Sequence, residues 1–176
     1  IIIADFGHGF ITTKIRDEVL KSSSFLAINV QTNSGNLGYN YITKYRNVHF
    51  ATLTEEELRL PLQDPKGKAE ELVKQLSTLI NCNKICVTLG NKGILYYDKE
   101  IYESPAFSQQ VVDTVGAGDA ILAITSMLNC KGMHSEMIPF IGNCMGALAI
   151  KIMGNKNSIS KRDLNTFILK TIGETT

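Results

Sequence analysis

Residues 111–120 read Val-Val-Asp-Thr-Val-Gly-Ala-Gly-Asp-Ala. A short apolar strand runs here into a turn bracketed by glycines and then directly into an apolar helix. Gly116 and Gly118 allow a ligand to approach the backbone closely, and the first amide groups of the helix have no intrahelical acceptor. Such a turn favours a bound anion, typically a phosphate, at the positive end of the helix dipole.

Asp119 is the unexpected member of this turn, because a carboxylate would repel a phosphate. It has a use there if it accepts a proton from a hydroxyl that attacks the phosphate. The alternative interpretation is that Asp119 caps a helix and that the glycines only form a turn. Both interpretations are open on the glycine pattern alone, which is a weak signal.

Outward from this turn, short β-branched runs alternate with helical periodicity. Strands are predicted at 1–4, 25–30, 48–53, 84–89, 93–97, 101–102 and 110–112. Helices are predicted at 13–21, 67–80, 118–128, 135–153 and 160–172. This order predicts an α/β fold with a mostly parallel central sheet, helices on both faces and ligands at the carboxyl ends of the strands.

Composition limits the remaining classes of protein. The 176 residues are 44% apolar and 20% charged, which suffices for a packed core, so we expect one domain over residues 1–176. The 18 Lys and Arg residues balance 17 Asp and Glu residues, for a net charge of +1, and no basic tail is present. Nucleic acid is therefore not an expected partner, and no apolar run is long enough to span a membrane.

The cysteines and the first residues bear on location and completeness. The four cysteines form no CxxC pair and the histidines have no ligand spacing, so we predict buried reduced thiols rather than a zinc site. Reduced thiols favour a cytoplasmic protein. The chain opens with Ile1-Ile2-Ile3-Ala4, which has the pattern of a core strand and not of a signal peptide. We interpret the sequence as part of a longer protein.

The string Asp113-Thr114-Val115-Gly116-Ala117-Gly118-Asp119 resembles the signature of the PfkB carbohydrate kinases, the ribokinase-like family. Val-Thr-Leu-Gly-Asn-Lys-Gly-Ile at 87–94 is similar to the family's strand, turn and strand beside the nucleotide. The small-residue helix at 141–149 is similar to its helix near the adenine. Residues 4–9 and 27–33 most resemble the heptose-phosphate kinase branch, whose members include fusions with nucleotidyltransferases. The resemblance runs from residue 1 to about residue 159.

The resemblance implies a ribokinase-like fold and the carboxy-terminal part of an ATP-dependent kinase. The family's amino-terminal half, which carries a β lid and much of the sugar pocket, has no counterpart in this sequence. Asp119 would be the general base, and the amides of Gly116, Ala117 and Gly118 would form an anion hole. The nucleotide contacts implied are Thr88, Gly90, Gly93, Thr114 and Asn143. For Asn143 the alternative is close helix packing by its Gly and Ala neighbours.

The resemblance also implies Mg²⁺, brought by the nucleotide, and a monovalent cation such as K⁺. Thr54-Glu55-Glu56-Glu57 lies where the family carries Asn-x-x-Glu, so Glu57 is the expected metal-organising residue, with Glu55 or Glu56 as alternatives. Thr54 replaces the Asn, and Thr followed by Glu three residues later is also a capping box worth about 1 kcal/mol. Asp113, with the backbone near Met153 and Gly154, is the expected monovalent-cation site.

Polar residues that follow the first two strands are the candidates for holding the substrate: Asp5, His8, Gln31 and Asn33, with Asp113 from the turn. Ordinary loop polarity is the competing explanation. The expected reaction is phosphorylation of a hydroxyl of a sugar or sugar phosphate, with a heptose phosphate as one candidate. A kinase of a non-sugar alcohol and a non-catalytic nucleotide-binding module are the alternatives. The family implies a homodimer through the missing lid, so the oligomeric state stays open.

Overall fold

A computed structural model describes residues 1–22, 24–107, 113–153 and 156–173. Within these residues the strands are β1 Ile2–Asp5, β2 Ala27–Val30, β3 Phe50–Thr54, β4 Lys84–Thr88, β5 Ile94–Asp98 and β6 Glu100–Ser104. The α-helices are α1 Thr13–Leu20, α2 Glu55–Arg59, α3 Ala69–Ile80, α4 Ala117–Cys130, α5 Met137–Ala149 and α6 Lys161–Gly173. Single 3₁₀ turns lie at Ile42–Lys44, Leu60–Leu62 and Gly90–Lys92.

The strands form one sheet in the order β1-β2-β3-β4-β5-β6. The first four strands are parallel, and β5 and β6 continue the sheet as antiparallel partners. Parallel strands have their carboxyl ends at the same edge of a sheet, so the residues that follow β1, β2, β3 and β4 are neighbours in space.

Alternate residues of each strand enter two different apolar clusters, because side chains alternate between the faces of a sheet. One face carries Ile3, Ile28, Ala51, Ile85 and Leu95 and packs against α1, α2 and α3. The other face carries Ala27, Phe50, Cys86, Ile94 and Tyr96 and packs against Ile121 of α4 and Ile138 of α5. The molecule therefore has three layers, helix, sheet and helix.

Two glycines bring α5 close to its neighbours. A Cβ at Gly142 would meet Ile94 at 3.1 Å and Thr125 at 3.2 Å, and a Cβ at Gly146 would meet Ile121 at 3.1 Å. Such distances leave almost no room for a side chain. The small residues of the 141–149 segment thus serve close helix packing.

The α/β fold with a mostly parallel sheet and helices on both faces is confirmed. The hairpin of β5 and β6 is longer than predicted, and α5 ends at Ala149 instead of continuing to residue 153. The predicted strand at 110–112 lies outside the described residues. No helix in the described part of the chain is both long and apolar enough to cross a bilayer.

Cys82, Cys86 and Cys144 are buried and free, as predicted, whereas Cys130 at the end of α4 is exposed. Burial raises the pKa of the Cys82 and Cys86 thiols to about 12 and that of Cys144 to about 11. The three buried thiols are therefore protonated at neutral pH and unreactive.

Candidate functional site

The turn before α4 presents backbone donors to the solvent. Gly116 is the N-cap of α4, with a φ of +81°, and no side chain caps the helix. Within the described residues the amides of Gly118 and Asp119 meet no acceptor, whereas Ala117 N donates to Thr114 O at 3.3 Å and Ala120 N to Gly116 O at 3.0 Å. A Cβ at Gly118 would meet nothing within 4 Å. The turn is therefore open to an anion.

Asp119 projects from this turn and does not cap the helix. Its Oδ1 accepts a hydrogen bond of 3.0 Å from Nε2 of Gln31, which follows β2. The helix α4 lies over β1, β2 and β3, so the first turn of α4 meets the carboxyl edge of the sheet. The structure brings together Asp119 and Gln31, which are 88 residues apart.

Glu57 joins two strand ends at the same edge. Its Oε1 accepts from Thr32 N at 2.9 Å and its Oε2 accepts from Thr54 N at 2.8 Å. Thr54 Oγ1 accepts in return from Glu57 N at 3.2 Å, which completes the predicted capping box. Glu57 is 8% exposed, whereas Glu55 is half-buried and pairs with Arg59 at 2.7 Å, and Glu56 is exposed. Of the three glutamates, Glu57 is the one fixed beside the strand ends.

Gly90 and Gly93 both have positive φ, of +61° and +107°, but they have different surroundings. A Cβ at Gly90 would meet nothing within 4 Å, so this glycine faces open space beyond β4. A Cβ at Gly93 would overlap the backbone of Ser104, Pro105 and Ala106. Gly90 is thus placed for close approach of a ligand, whereas Gly93 is needed for the packing of β5 against the end of β6. Thr88, the last residue of β4, is half-buried at the same edge.

A cleft of about 340 Å³ lies beside Gly116. Its lining is mostly apolar, with Ala120 and Ala123 from α4 and Met145 and Ala149 from α5. The segment after α5 closes it with Ile152, Asn157, Ser158 and Ile159. An apolar cleft with a few polar groups is typical of a small-molecule site. The 141–149 helix, which contains Met145 and Ala149, was predicted to lie near the adenine, whereas Ala120, Ala123 and residues 152 and 157–159 were not predicted, although the small side chains at 120 and 123 were a signal.

Asn143 is absent from the lining of this cleft. Its Nδ2 donates to Ser104 O at 2.6 Å and to Pro105 O at 3.2 Å, so the side chain fastens α5 to the end of β6. Met145 and Ala149 lie on a different side of α5, as the helical period requires. Met145 and Ala149, and not Asn143, are the residues of α5 that line the cleft.

Asp5 lies on the other face of the sheet from Asp119, because it shares the side of Ile3. Its carboxylate accepts from Tyr45 Oη at 2.6 Å and from Gly7 N at 2.9 Å and pairs with Lys44 at 2.7 Å. Burial raises the pKa of Asp5, but the bonds from Lys44, Tyr45 and Gly7 outweigh it and hold the pKa below its ordinary value. The structure does not bring Asp5 together with Asp119.

The other predicted substrate residues surround the ends of β1 and β2. Asn33 Nδ2 donates to Phe6 O at 3.2 Å, and His8 is exposed beside it. Asn36 and Asn40 are buried and bind the backbone of the same two strand ends. These two asparagines were not predicted from the sequence, although four asparagines within residues 29–40 were a signal.

Asp113 begins the turn before α4. Its Oδ1 accepts from Val115 N at 2.9 Å, and its own N donates to Ile150 O at 3.1 Å. This bond places residue 113 beside the segment that contains Met153; Gly154 lies outside the described residues. Thr114 is exposed on the turn.

The described residues contain no group of three or more His, Cys, Asp or Glu side chains that could hold a metal ion by themselves. A Mg²⁺ ion here would take most of its ligands from phosphate and water, which is its usual mode beside a nucleotide. Glu57 fits an indirect role, since each of its carboxylate oxygens already accepts one backbone amide.

The parallel sheet, the open turn before α4 and the adjoining cleft define an α/β protein whose candidate site lies at the carboxyl edge of its sheet. Residues 26–162 match the profile described as pfkB family carbohydrate kinase. The chain belongs to this family.

Individual proteins of known name are similar to this chain in sequence or in fold. The chain is 26% identical over 159 residues to the bifunctional protein HldE of Campylobacter concisus, a match that covers 88% of the chain and 33% of that protein. Its fold is similar to that of ribokinase from Thermotoga maritima, with a TM-score of 0.76, 19% identity and coverage of 96% of this chain and 56% of that one. Arabidopsis thaliana ribokinase complexed with ribose and ATP gives a TM-score of 0.71 and 17% identity, covering 88% and 51%.

The chain thus spans about a third of this curated relative and about half of these solved structures. The predicted resemblance to part of a PfkB kinase is confirmed.

Proposed function

We propose that this chain carries the nucleotide site and the catalytic turn of an ATP-dependent kinase that phosphorylates a hydroxyl of a sugar or sugar phosphate. The observation that carries the proposal is the turn at 116–119, where open amides lie next to a carboxylate that caps nothing. A phosphoryl group with a developing negative charge and a hydroxyl that must lose a proton need these two features side by side.

In this proposal the amides of Gly116, Ala117 and Gly118 form the anion hole around the transferring phosphoryl group. The amides are fixed by the helix, so they need no reorganisation when charge develops. Ala117 N has a long bond to Thr114 O, at 3.3 Å, which it would exchange for a phosphate oxygen.

Asp119 acts as the general base. Its carboxylate is exposed and lies in the same helical turn as the open amides. It takes the proton of the acceptor hydroxyl as that oxygen attacks the terminal phosphorus of ATP, and ADP leaves. A positioned base contributes roughly 10²–10⁴-fold to such a reaction.

The nucleotide lies along the same edge of the sheet. We place the base of ATP in the cleft between Ala120, Ala123, Met145 and Ala149, where Asn157 supplies a polar contact. The phosphates pass Thr88, Thr114 and Gly90 on the way to the turn. The similarity to a ribokinase complexed with ribose and ATP supports a nucleotide at this fold's carboxyl edge.

Mg²⁺ supplies charge neutralisation for the phosphates when it is bound, with Glu57 organising its water ligands. A monovalent cation such as K⁺ is proposed at Asp113 and the backbone near Met153. ATP and the acceptor are the expected partners, and the cytoplasm, which supplies ATP, is the expected location.

The experiment uses the complete natural protein with Mg-ATP and a panel of acceptors. Heptose and hexose phosphates come first, because residues 4–9 and 27–33 resemble the heptose-phosphate kinase branch and the bifunctional HldE proteins are relatives. Free sugars, nucleosides and vitamin-precursor alcohols complete the panel. A mass gain of one phosphoryl group identifies the product.

Asp119→Asn should lower kcat by about 10²–10⁴-fold while nucleotide still binds. Asp17→Asn is the matched control, because Asp17 is an exposed aspartate on α1 that pairs with Arg16. Full activity of Asp119→Asn would refute the assignment of the base. Nucleotide binding without transfer to any acceptor would favour a non-catalytic module, a possibility that Thr54 in place of the family's Asn supports.

A further inference from the structure

Gln31 makes a side-chain contact across the candidate site. Its Nε2 donates to Asp119 Oδ1 at 3.0 Å, from the end of β2 to the first turn of α4. Among the described residues no other donor reaches the Asp119 carboxylate, so Oδ2 remains available for the proton of an acceptor. Gln31 is half-buried and Asp119 is exposed.

The backbone N–H and the backbone C=O of Gln31 are both held by hydrogen bonds. Gln31 N donates to Asp5 O at 2.9 Å, and Gln31 O accepts from Asn36 Nδ2 at 3.0 Å and from Asn40 Nδ2 at 2.9 Å. Asn36 and Asn40 are 6% and 5% exposed. These three bonds fix the position from which the Gln31 side chain reaches Asp119, so the amide can leave the carboxylate only by rotation about the side-chain bonds.

The asparagines are themselves anchored. Asn40 Oδ1 accepts from the ammonium group of Lys44, which also pairs with Asp5 at 2.7 Å. Gly7, with a φ of +70°, lets these amides come close, because a Cβ there would lie 2.6 Å from Asn36 Nδ2 and 2.7 Å from Asn40 Nδ2. The chain of bonds therefore runs from the buried Asp5 to the exposed Asp119.

We propose that Gln31 is a positioning residue that holds the Asp119 carboxylate by Oδ1 and leaves Oδ2 to take the proton of the acceptor hydroxyl. This inference rests on the proposed function of Asp119. An aspartate in an exposed first helical turn is otherwise free to rotate, and misplacement by about 1 Å can cost about 10²-fold in rate. A neutral amide suits the task, since a cation at this place would weaken the carboxylate as a base.

The test uses the complete natural protein and a cycle of four variants: wild type, Gln31→Leu, Asp119→Asn and the double variant. Leucine removes the donor at nearly unchanged volume. We expect Gln31→Leu to lower kcat by about 10–100-fold with KM for Mg-ATP unchanged. In the Asp119→Asn background the same change should cost less than about threefold, because the partner is already altered. Gln75→Leu, on the exposed side of α3, is the matched control.

A merely structural role of Gln31 would give the same loss in both backgrounds, and that additive result would overturn the proposal. So would an increase in KM for Mg-ATP at normal kcat. A second readout does not depend on turnover: the side-chain amide resonance of Gln31, identified by its loss in Gln31→Leu, should move in Asp119→Asn. An unmoved resonance would overturn the contact. Inactivity of the wild type towards every acceptor would instead refute the proposed function.

Discussion

Alanine at Gly93 should destabilise the protein far more than alanine at Gly90, although both glycines have positive φ in the same turn. A Cβ added at Gly93 would lie 2.8 Å from Ala106 N and from the carbonyl carbon of Pro105 and still closer to Ser104 O. These are backbone atoms, and Asn143 holds this segment through bonds to Ser104 O and Pro105 O. They cannot rotate away as a flexible side chain would.

The magnitude follows from two costs. A φ of +107° with a ψ of −138° lies in a region that non-glycine residues avoid, at a cost of about 1–3 kcal/mol. Overpacking against a fixed neighbour costs about 1–3 kcal/mol more. At Gly90 the left-handed φ of +61° costs an alanine about 1–2 kcal/mol, and no atom lies within 4 Å of the new Cβ.

Urea-induced unfolding of the complete protein, followed by circular dichroism, measures both free energies. Gly93→Ala should lose about 2–6 kcal/mol and Gly90→Ala about 1–2 kcal/mol. The double variant Gly93→Ala/Asn143→Ala should lose less free energy of unfolding than the sum of the two single losses, because the 104–106 segment can move once Asn143 no longer holds it. Gly90→Ala should instead raise KM for Mg-ATP, by about tenfold for a lost contact of about 1.4 kcal/mol. Equal destabilisation by the two alanines would refute the reasoning.

Three further predictions concern single side chains. Asp5→Asn should lower the free energy of unfolding by about 1–3 kcal/mol at pH 7. The folded-state pKa of Asp5 is lowered from 3.8, so the stabilisation by its ionised carboxylate is present above pH 3.8 and is lost as the pH falls through the folded-state pKa. The urea midpoints of the wild type and Asp5→Asn should therefore converge in acid. Glu57→Ala should cost about 2–4 kcal/mol in the same assay, since two backbone amides lose their acceptor, whereas Glu56→Ala should be neutral. Cys130→Ser should remove the fast phase of thiol labelling that comes from this chain, because Cys130 is exposed. Cys86→Ser should leave that phase intact, because Cys86 is buried.

The order and types of most elements could be predicted because their signals are local. Strand β4 is a largely apolar run, and α3 repeats its apolar residues at helical spacing, so each indicates its own structure. The open turn before α4 could be predicted for the same reason, since Gly116 and Gly118 lie next to the helix that supplies the amides. The Thr54 capping box also depends only on residues three positions apart.

Contacts between distant segments could not be predicted in this way. Nothing near Gln31 indicates that Asp119 is its partner, because their meeting depends on where α4 crosses the sheet. Asn143 has a small-residue neighbourhood similar to a nucleotide-contacting helix, but the rotation of α5 about its axis turns Asn143 towards β6 and Met145 towards the cleft. Helix rotation is decided by packing, here by Gly142 and Gly146, and it is not visible in periodicity alone.

The connectivity explains why the site lies on the face that α4 covers. Strands β1 to β4 are adjacent in chain order, and right-handed crossovers between adjacent parallel strands put every intervening segment on one face of the sheet. That face therefore receives α1, α2 and α3, and α4 and α5, which follow the hairpin, cover the other. Side chains alternate between the faces, so Asp5 points to the first face, while Gln31 points to the second and meets Asp119. Asp5 and Asp119 therefore have different surroundings: Asp5 is bound to Gly7, Lys44 and Tyr45 beside the loops, and Asp119 lies at the open turn before α4.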